Sequence, residues 1–264
     1  MQKQRIDNKN TLEKLGVEKF GDVFRYLLPF IEPCVMFKPS GAKATLGTSK
    51  LGGLPDLPAN QTWPQAPNGQ YLNFIGQFNL GEMPIHLDGP KEGMLYIFLG
   101  EVYSYNDKYP HVIFSNELPQ KNSFCPQPEN MFSPTVTEGL VECAVEYSKG
   151  LSILNMKDLA KAEGYDEFEK QCINIKNSSV NDDVIGQTLQ WINPEDYGSY
   201  LGALFTGFGL CKYPKSCRQL LCIPSFLEAK VLWGDAGWLA FYIMPEDFEQ
   251  LNFSHTMAFI NSGE

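Results

Sequence analysis

Residues 49–80 read SKLGGLPDLPANQTWPQAPNGQYLNFIGQFNL. The stretch opens on a basic residue and two glycines, Lys50, Gly52 and Gly53. A loop stiffened by Pro55 and Pro58 and carrying Asp56 follows, then Trp63, a turn, and an aromatic and apolar run from Tyr71 to Leu80 with Gln77 inside it. Paired glycines let a backbone come close to another strand or to a ligand. From Tyr71 onward the pattern is β. Gly93 to Val102 (GMLYIFLGEV) and His111 to Phe114 (HVIF) predict strands, and Val136 to Tyr147 predicts one or two more. Trp238 to Met244 and Thr256 to Ile260 predict two strands near the end.

Upstream, Asn10 to Phe30 predicts one helix, with Asn10 and Glu13 as a capping box and Leu12, Leu15, Phe20, Phe24, Leu27 and Leu28 as its stripe. Pro33 is expected to stop it, Cys34 to Phe37 to form a short strand, and Lys38 to Ser49 a loop. Asn155 to Cys172 predicts a mid-chain helix weakened by Gly164, and Asn177 to Asp183 a polar linker. The expected fold class is α+β, mostly antiparallel β-sheet, with an N-terminal and a mid-chain helix. Regular βαβ alternation is missing, which argues against a doubly wound fold.

Two parts of the chain resemble each other. Gly93 with MLYIFL precedes His111 by 18 residues, and Gly237 with WLAFYI precedes His255 by the same 18. Leu72 to Leu80 has a counterpart in Leu220 to Leu227, Gly53 in Gly186, and Trp63 loosely in Trp191. The expectation is one unit over 1–264 built from two related β-rich halves, 43–150 and 177–264. Any two hairpins share an alternating pattern, so the matched spacing is what carries this reading.

The chain has 264 residues, of which 43% are hydrophobic, 13% aromatic and 20% charged, enough for a sizeable core. A net charge of −10 repels a phosphate backbone, so nucleic-acid binding is not expected. The N-terminus MQKQRIDNKN has no apolar signal-peptide core, and no apolar run approaches the roughly 18–20 residues of a membrane span. A soluble, cytoplasmic protein without a membrane role is expected. Seven cysteines form no CxxC pair, and an odd count without a secretory signal points to reduced thiols.

The candidate site residues fall in three places. Lys50, Gly52, Gly53 and Asp56 form a loop whose charges could stand at a site rim, with Trp63 beyond it; the plainer alternative is a tight crossover. Trp233, Asp235 and Trp238 suggest an aromatic-walled pocket with one polar anchor, or else a turn with core tryptophans. Gln77, in an apolar strand, must bond its neighbours or face a cleft, since a buried unpaired amide costs about 1–3 kcal/mol. No HExxH, GxSxG or phosphate-loop spacing is present, so no catalytic residue, metal or cofactor is assigned.

Several of these landmarks together resemble the YwqG-like family. They are SKLGGLPDLP at 49–58, Trp63-Pro64, FIGQFNL at 74–80, Gly93-x-Leu-x-x-Phe, and WGDAG at 233–237. At the head of the second half, where such proteins carry a histidine with LGYPD-like residues, this chain has VIGQTLQ at 184–190. The resemblance implies a soluble α+β fold and supplies no activity. Two function classes follow from the residues. One is a binding or interaction protein for a basic protein partner or a small polar ligand. The other is a hydrolase acting on a sugar or peptide with dispersed carboxylates, Asp56 or Asp235, which would have to converge within roughly 5–10 Å.

Overall fold

The computed structural model describes residues 9–20, 24–28, 31–84, 89–100, 109–119, 125–132, 140–153, 202–204, 217–226, 228–233 and 237–261. Helices α1 (Lys9–Phe20) and α2 (Phe24–Leu27) come first, then strands β1 (Ile31–Pro39), β2 (Lys50–Leu51), β3 (Asn73–Asn79), β4 (Met94–Leu99) and β5 (His111–Ser115). There follow β6 (Cys143–Ile153), β7 (Gly202–Leu204), β8 (Arg218–Pro224), β9 (Trp238–Ile243), α3 (Pro245–Glu249) and β10 (Met257–Asn261). The result is an α+β molecule dominated by antiparallel sheet. The predicted mid-chain helix and linker lie outside the described residues.

The N-terminal region departs from the predicted single helix. Two helices are found, and α2 packs against α1. Gly16 makes this possible: a side chain there would overlap the ring of buried Phe24. Arg25 Nε lies 3.2 Å from Glu13 Oε1 across the same junction. Asn10 sits inside α1, which begins at Lys9, so it is not the cap. Pro33 stops no helix; it lies within β1, opposite Leu151 of β6. Among the described residues β7 pairs with Val35 to Phe37, and the partner of Pro33 is on the β6 side.

All ladders between these strands are antiparallel, in the order β10-β9-β8-β7-β1-β6-β2-β3-β4-β5. Exchanging each strand with the one five places along the chain, then reading backwards, returns the same order. Two four-stranded meanders thus run outward from a central β1–β6 pair. Their registers agree in detail. The β3–β4 ladder slips between Phe74 and Gly76, and the β8–β9 ladder slips between Gln219 and Leu221. An extra residue in an antiparallel strand bends it and increases its twist.

Side-chain alternation then splits each meander between two faces. Leu95, Ile97 and Leu99 of β4 and Leu239, Phe241 and Ile243 of β9 enter one shared core. Phe37 of the central pair touches Phe78 on one side and Phe226 on the other, at centroid distances of 5.1 and 6.2 Å. Phe114 of β5 meets Phe253, just before β10, at 5.5 Å, so the sheet curls until its two ends approach. The outward residues Met94, Tyr96 and Phe98 join Trp63 and Leu57 in a second cluster, while Trp238, Ala240 and Tyr242 form a third with Cys217. Being covered on both faces, β4 is apolar throughout, MLYIFL.

The register corrects one expected equivalence. His111 lies opposite Phe98 and Met257 lies opposite Tyr242, so Met257 rather than His255 takes the place of His111. His255 is in the short 3-10 turn before β10.

Candidate functional site

Strand β2 has only two residues and is wedged between β3 and β6, with Lys50 opposite Gln77 and Ala144. Gly52 and Gly53 then both adopt positive φ, +65° and +69°, and their N–H groups donate to Ile75 O (2.9 Å) and Leu140 O (3.3 Å). A Cβ on Gly52 would stand 2.8 Å from the carbonyl of Leu140, and one on Gly53 would stand 2.7 Å from Glu142 Oε2. The double glycine is therefore needed for close approach of the segment that carries Glu142.

That approach builds a buried polar cluster. Lys50 Nζ lies 3.0 Å from Asp56 Oδ1 and 3.5 Å from Glu142 Oε2. Asp56 Oδ2 accepts from Gly47 N and Gln77 Nε2, both at 2.8 Å. Gln77 is fully buried and its amide is spent: Oε1 accepts from Asp56 N at 2.8 Å, and Nε2 also donates to Thr48 O at 2.9 Å. Tyr96 donates its hydroxyl to Asp56 O at 3.1 Å. Burial, assisted by the Asp56 charge, pushes the ionisation of this phenol upward, so it stays a neutral donor. Asp56 thus holds three donors and is an anchored carboxylate. Glu142 has one long ion pair, and its side chain is 25% exposed.

A cleft of about 380 Å³ opens over this cluster, with Lys50, Asp56, Glu142, Leu54, Trp63 and Cys125 in its wall. Half-exposed Leu54 forms an apolar lip. Trp63 is fixed from behind: its Nε1 donates to Leu72 O at 2.8 Å and its ring meets Phe98 edge-on at 5.5 Å. Among the described residues no three His, Cys, Asp or Glu side chains gather as a metal set.

Residues 49–261 match a family described as a domain of unknown function, DUF1963. The chain belongs to that family. The matched span begins at Ser49, beside the buried lysine, and takes in β2 to β10 of the DUF1963 sheet. No curated protein matches the chain.

Six of the nine residues singled out from the DUF1963 sequence come together: Lys50, Gly52, Gly53, Asp56, Trp63 and Gln77. The others do not join them. Trp233 is wholly buried in the shared core, where its Nε1 has no acceptor among the described residues. Trp238 sits on the outward face of β9, in a different cluster, so the two tryptophans do not wall one pocket. Asp235 lies outside the described residues, and with it the distance test for an Asp56–Asp235 pair. Glu142 was missed, because only the long-range pairing of β6 with β2 brings it to Lys50. Five cysteines among the described residues are free, and burial pushes the thiols of Cys34 and Cys222 up to about 12. No helix among the described residues is long and apolar enough to cross a membrane.

Proposed function

We propose that this DUF1963 protein is a cytosolic binding protein whose Lys50–Asp56–Glu142 cleft takes an ammonium or guanidinium group. That group belongs to a small polar ligand or to a side chain of a basic protein partner. The observation that carries the reading is Glu142, a partly exposed carboxylate with one long contact to Lys50, standing above a cluster whose other acceptors are occupied. Two carboxylates against one lysine leave the cleft net negative, and the chain charge of −10 favours the approach of cations. Half-exposed Leu54 provides apolar area beside the charge, as ligand sites require, with buried Trp63 behind it. Gly52, Gly53 and Gln77 hold the wall in place.

In this reading the molecule is YwqG-like, as the SKLGGLPDLP, FIGQFNL and WGDAG clusters support, and its two meanders descend from one ancestral half. The polar set then belongs to a single half: the register aligns Lys50 with Ala203 and Gln77 with Cys222. A hydrolase reading would need Asp56 to move protons, and its three donors favour an anchoring role instead.

The test is a thermal-shift and calorimetric screen of arginine, agmatine, lysine and putrescine, beside sugars, nucleotides and metal ions. At least one cation should raise the melting temperature by mass action. Glu142→Gln, folded as judged by circular dichroism, should lose that shift. Cation binding of equal strength in the variant would sink the proposal.

A further inference from the structure

A second cleft, also of about 380 Å³, lies against the opposite flank of the Ser49–Lys50 step, with Ser49, Tyr147, Glu82 and Lys43 in its wall. Nothing in the function proposed above uses it. Ser49 is 1% exposed, and its Oγ lies 2.7 Å from the Tyr147 hydroxyl and 2.8 Å from Asn79 N. The Asn79 N–H can only donate, so it occupies one Ser49 lone pair. Each hydroxyl owns one hydrogen. The pair therefore owns two, and the bond between them consumes one. Burial pushes the Tyr147 phenol strongly upward, with the Ser49 bond opposing and the Glu82 charge adding, so that hydrogen is not lost to solvent. One hydroxyl hydrogen is left at the cleft wall, with no protein acceptor among the described residues.

Beside it Glu82 supplies the opposite capability. Its Oε2 accepts from Ser49 N at 3.0 Å, and the exposed carboxylate keeps further lone pairs for a ligand donor. Lys43 on the rim offsets its charge, so the cleft selects neither a cation nor an anion. The hydroxyl of Thr48 is already spent, donating to Thr45 O and accepting from Thr45 N. Val145 and Pro84 add an apolar wall. A spare donor, a spare acceptor and an apolar face in one small neutral cleft match a molecule with neighbouring hydroxyl groups on a C–H-rich ring. The volume falls at the low end of the range of about 300–1,000 Å³ for ligand pockets.

We propose that this second cleft binds a small neutral polyol of monosaccharide size, one hydroxyl accepting from the Ser49–Tyr147 pair and its neighbour donating to Glu82. The same proton count sets aside a serine nucleophile here, since a neutral tyrosine cannot take the Ser49 proton.

The experiment titrates the full chain with glucose, mannose, N-acetylglucosamine and myo-inositol by calorimetry and saturation-transfer NMR. At least one should bind saturably, and Tyr147→Phe, which keeps the ring and removes a hydroxyl, should weaken it about 5- to 10-fold. Glu82→Gln, on an exposed side chain, should weaken it similarly and keeps the test valid if Tyr147→Phe misfolds. Saturating arginine should leave sugar binding unchanged, which separates this site from the cation cleft. Absence of saturable binding by all four probes overturns the proposal, as does binding that both variants retain at native strength.

Discussion

Lys50 is the residue on which most of the polar cluster depends. It is 5% exposed and faces two carboxylates, so Lys50→Met leaves Asp56 buried without its cation. Removing one member of a buried pair costs about 3–5 kcal/mol, which urea denaturation would read as a large fall in midpoint at unchanged slope. Glycine substitutions separate conformation from space. Gly52→Ala and Gly69→Ala each place alanine at positive φ, costing about 1–2 kcal/mol. A Cβ on Gly69 meets nothing within 4 Å, whereas one on Gly52 meets backbone at 2.8 Å, so Gly52→Ala should cost more. Equal losses would show that the Leu140 approach is unimportant. His111 sets a pH dependence. Burial holds its imidazole below the ordinary value near 6.5, so the unfolded chain binds a proton that the folded one resists. Stability is unaffected above that value and is lost as pH falls below it, until the folded histidine also protonates. His111→Gln should flatten that part of the stability profile.

The short helices and the strands were legible in the sequence to different degrees. MLYIFL and WLAFYI are continuous apolar runs after a glycine; they are found as β4, Met94–Leu99 inside the expected Gly93 to Val102, and as β9, within a residue of expectation. The full length of β1 was hidden by Pro33, whose place in a strand follows from tertiary pairing with Leu151 of β6. Three-residue β7 carries too little pattern to be seen. The break between α1 and α2 was hidden because a helical stripe does not report that Gly16 receives the Phe24 ring. That contact makes a prediction against propensity. Gly16→Ala would stabilise an isolated helix by about 1 kcal/mol, yet here it should lower the melting temperature by displacing Phe24. A higher melting temperature would mean that α2 does not dock on α1. For the candidate site, Lys50, Asp56 and Gln77 were readable because a charged or amide group beside glycines in an apolar stretch must find partners. Glu142, Ser49 and Tyr147 were not, since their meeting depends on β6 crossing the sheet. Trp233 and Trp238 misled because closeness along the chain does not report that Trp233 enters the shared core while Trp238 begins β9 on its outward face.

At the scale of the molecule, the sheet order has a practical outcome. β1 lies beside β7 and β6 lies beside β2, so each end of the central pair serves the meander from the other part of the chain. Severing the polypeptide between Pro119 and Cys125 gives a first piece with β1 and the β2–β5 meander, and a second with β6 and the β7–β10 meander. In neither piece does the leading strand retain a neighbour, because each finds its partners only in the other. Expressed singly, the pieces should remain unfolded and aggregate through unpaired edges. Expressed together, they should reassemble into the native sheet at a strength that nuclear magnetic resonance or a fused split reporter can measure. A protein of this kind is interlocked like clasped hands, and a cut that separates β1 from β6 lets it be taken apart and made to report its own reunion.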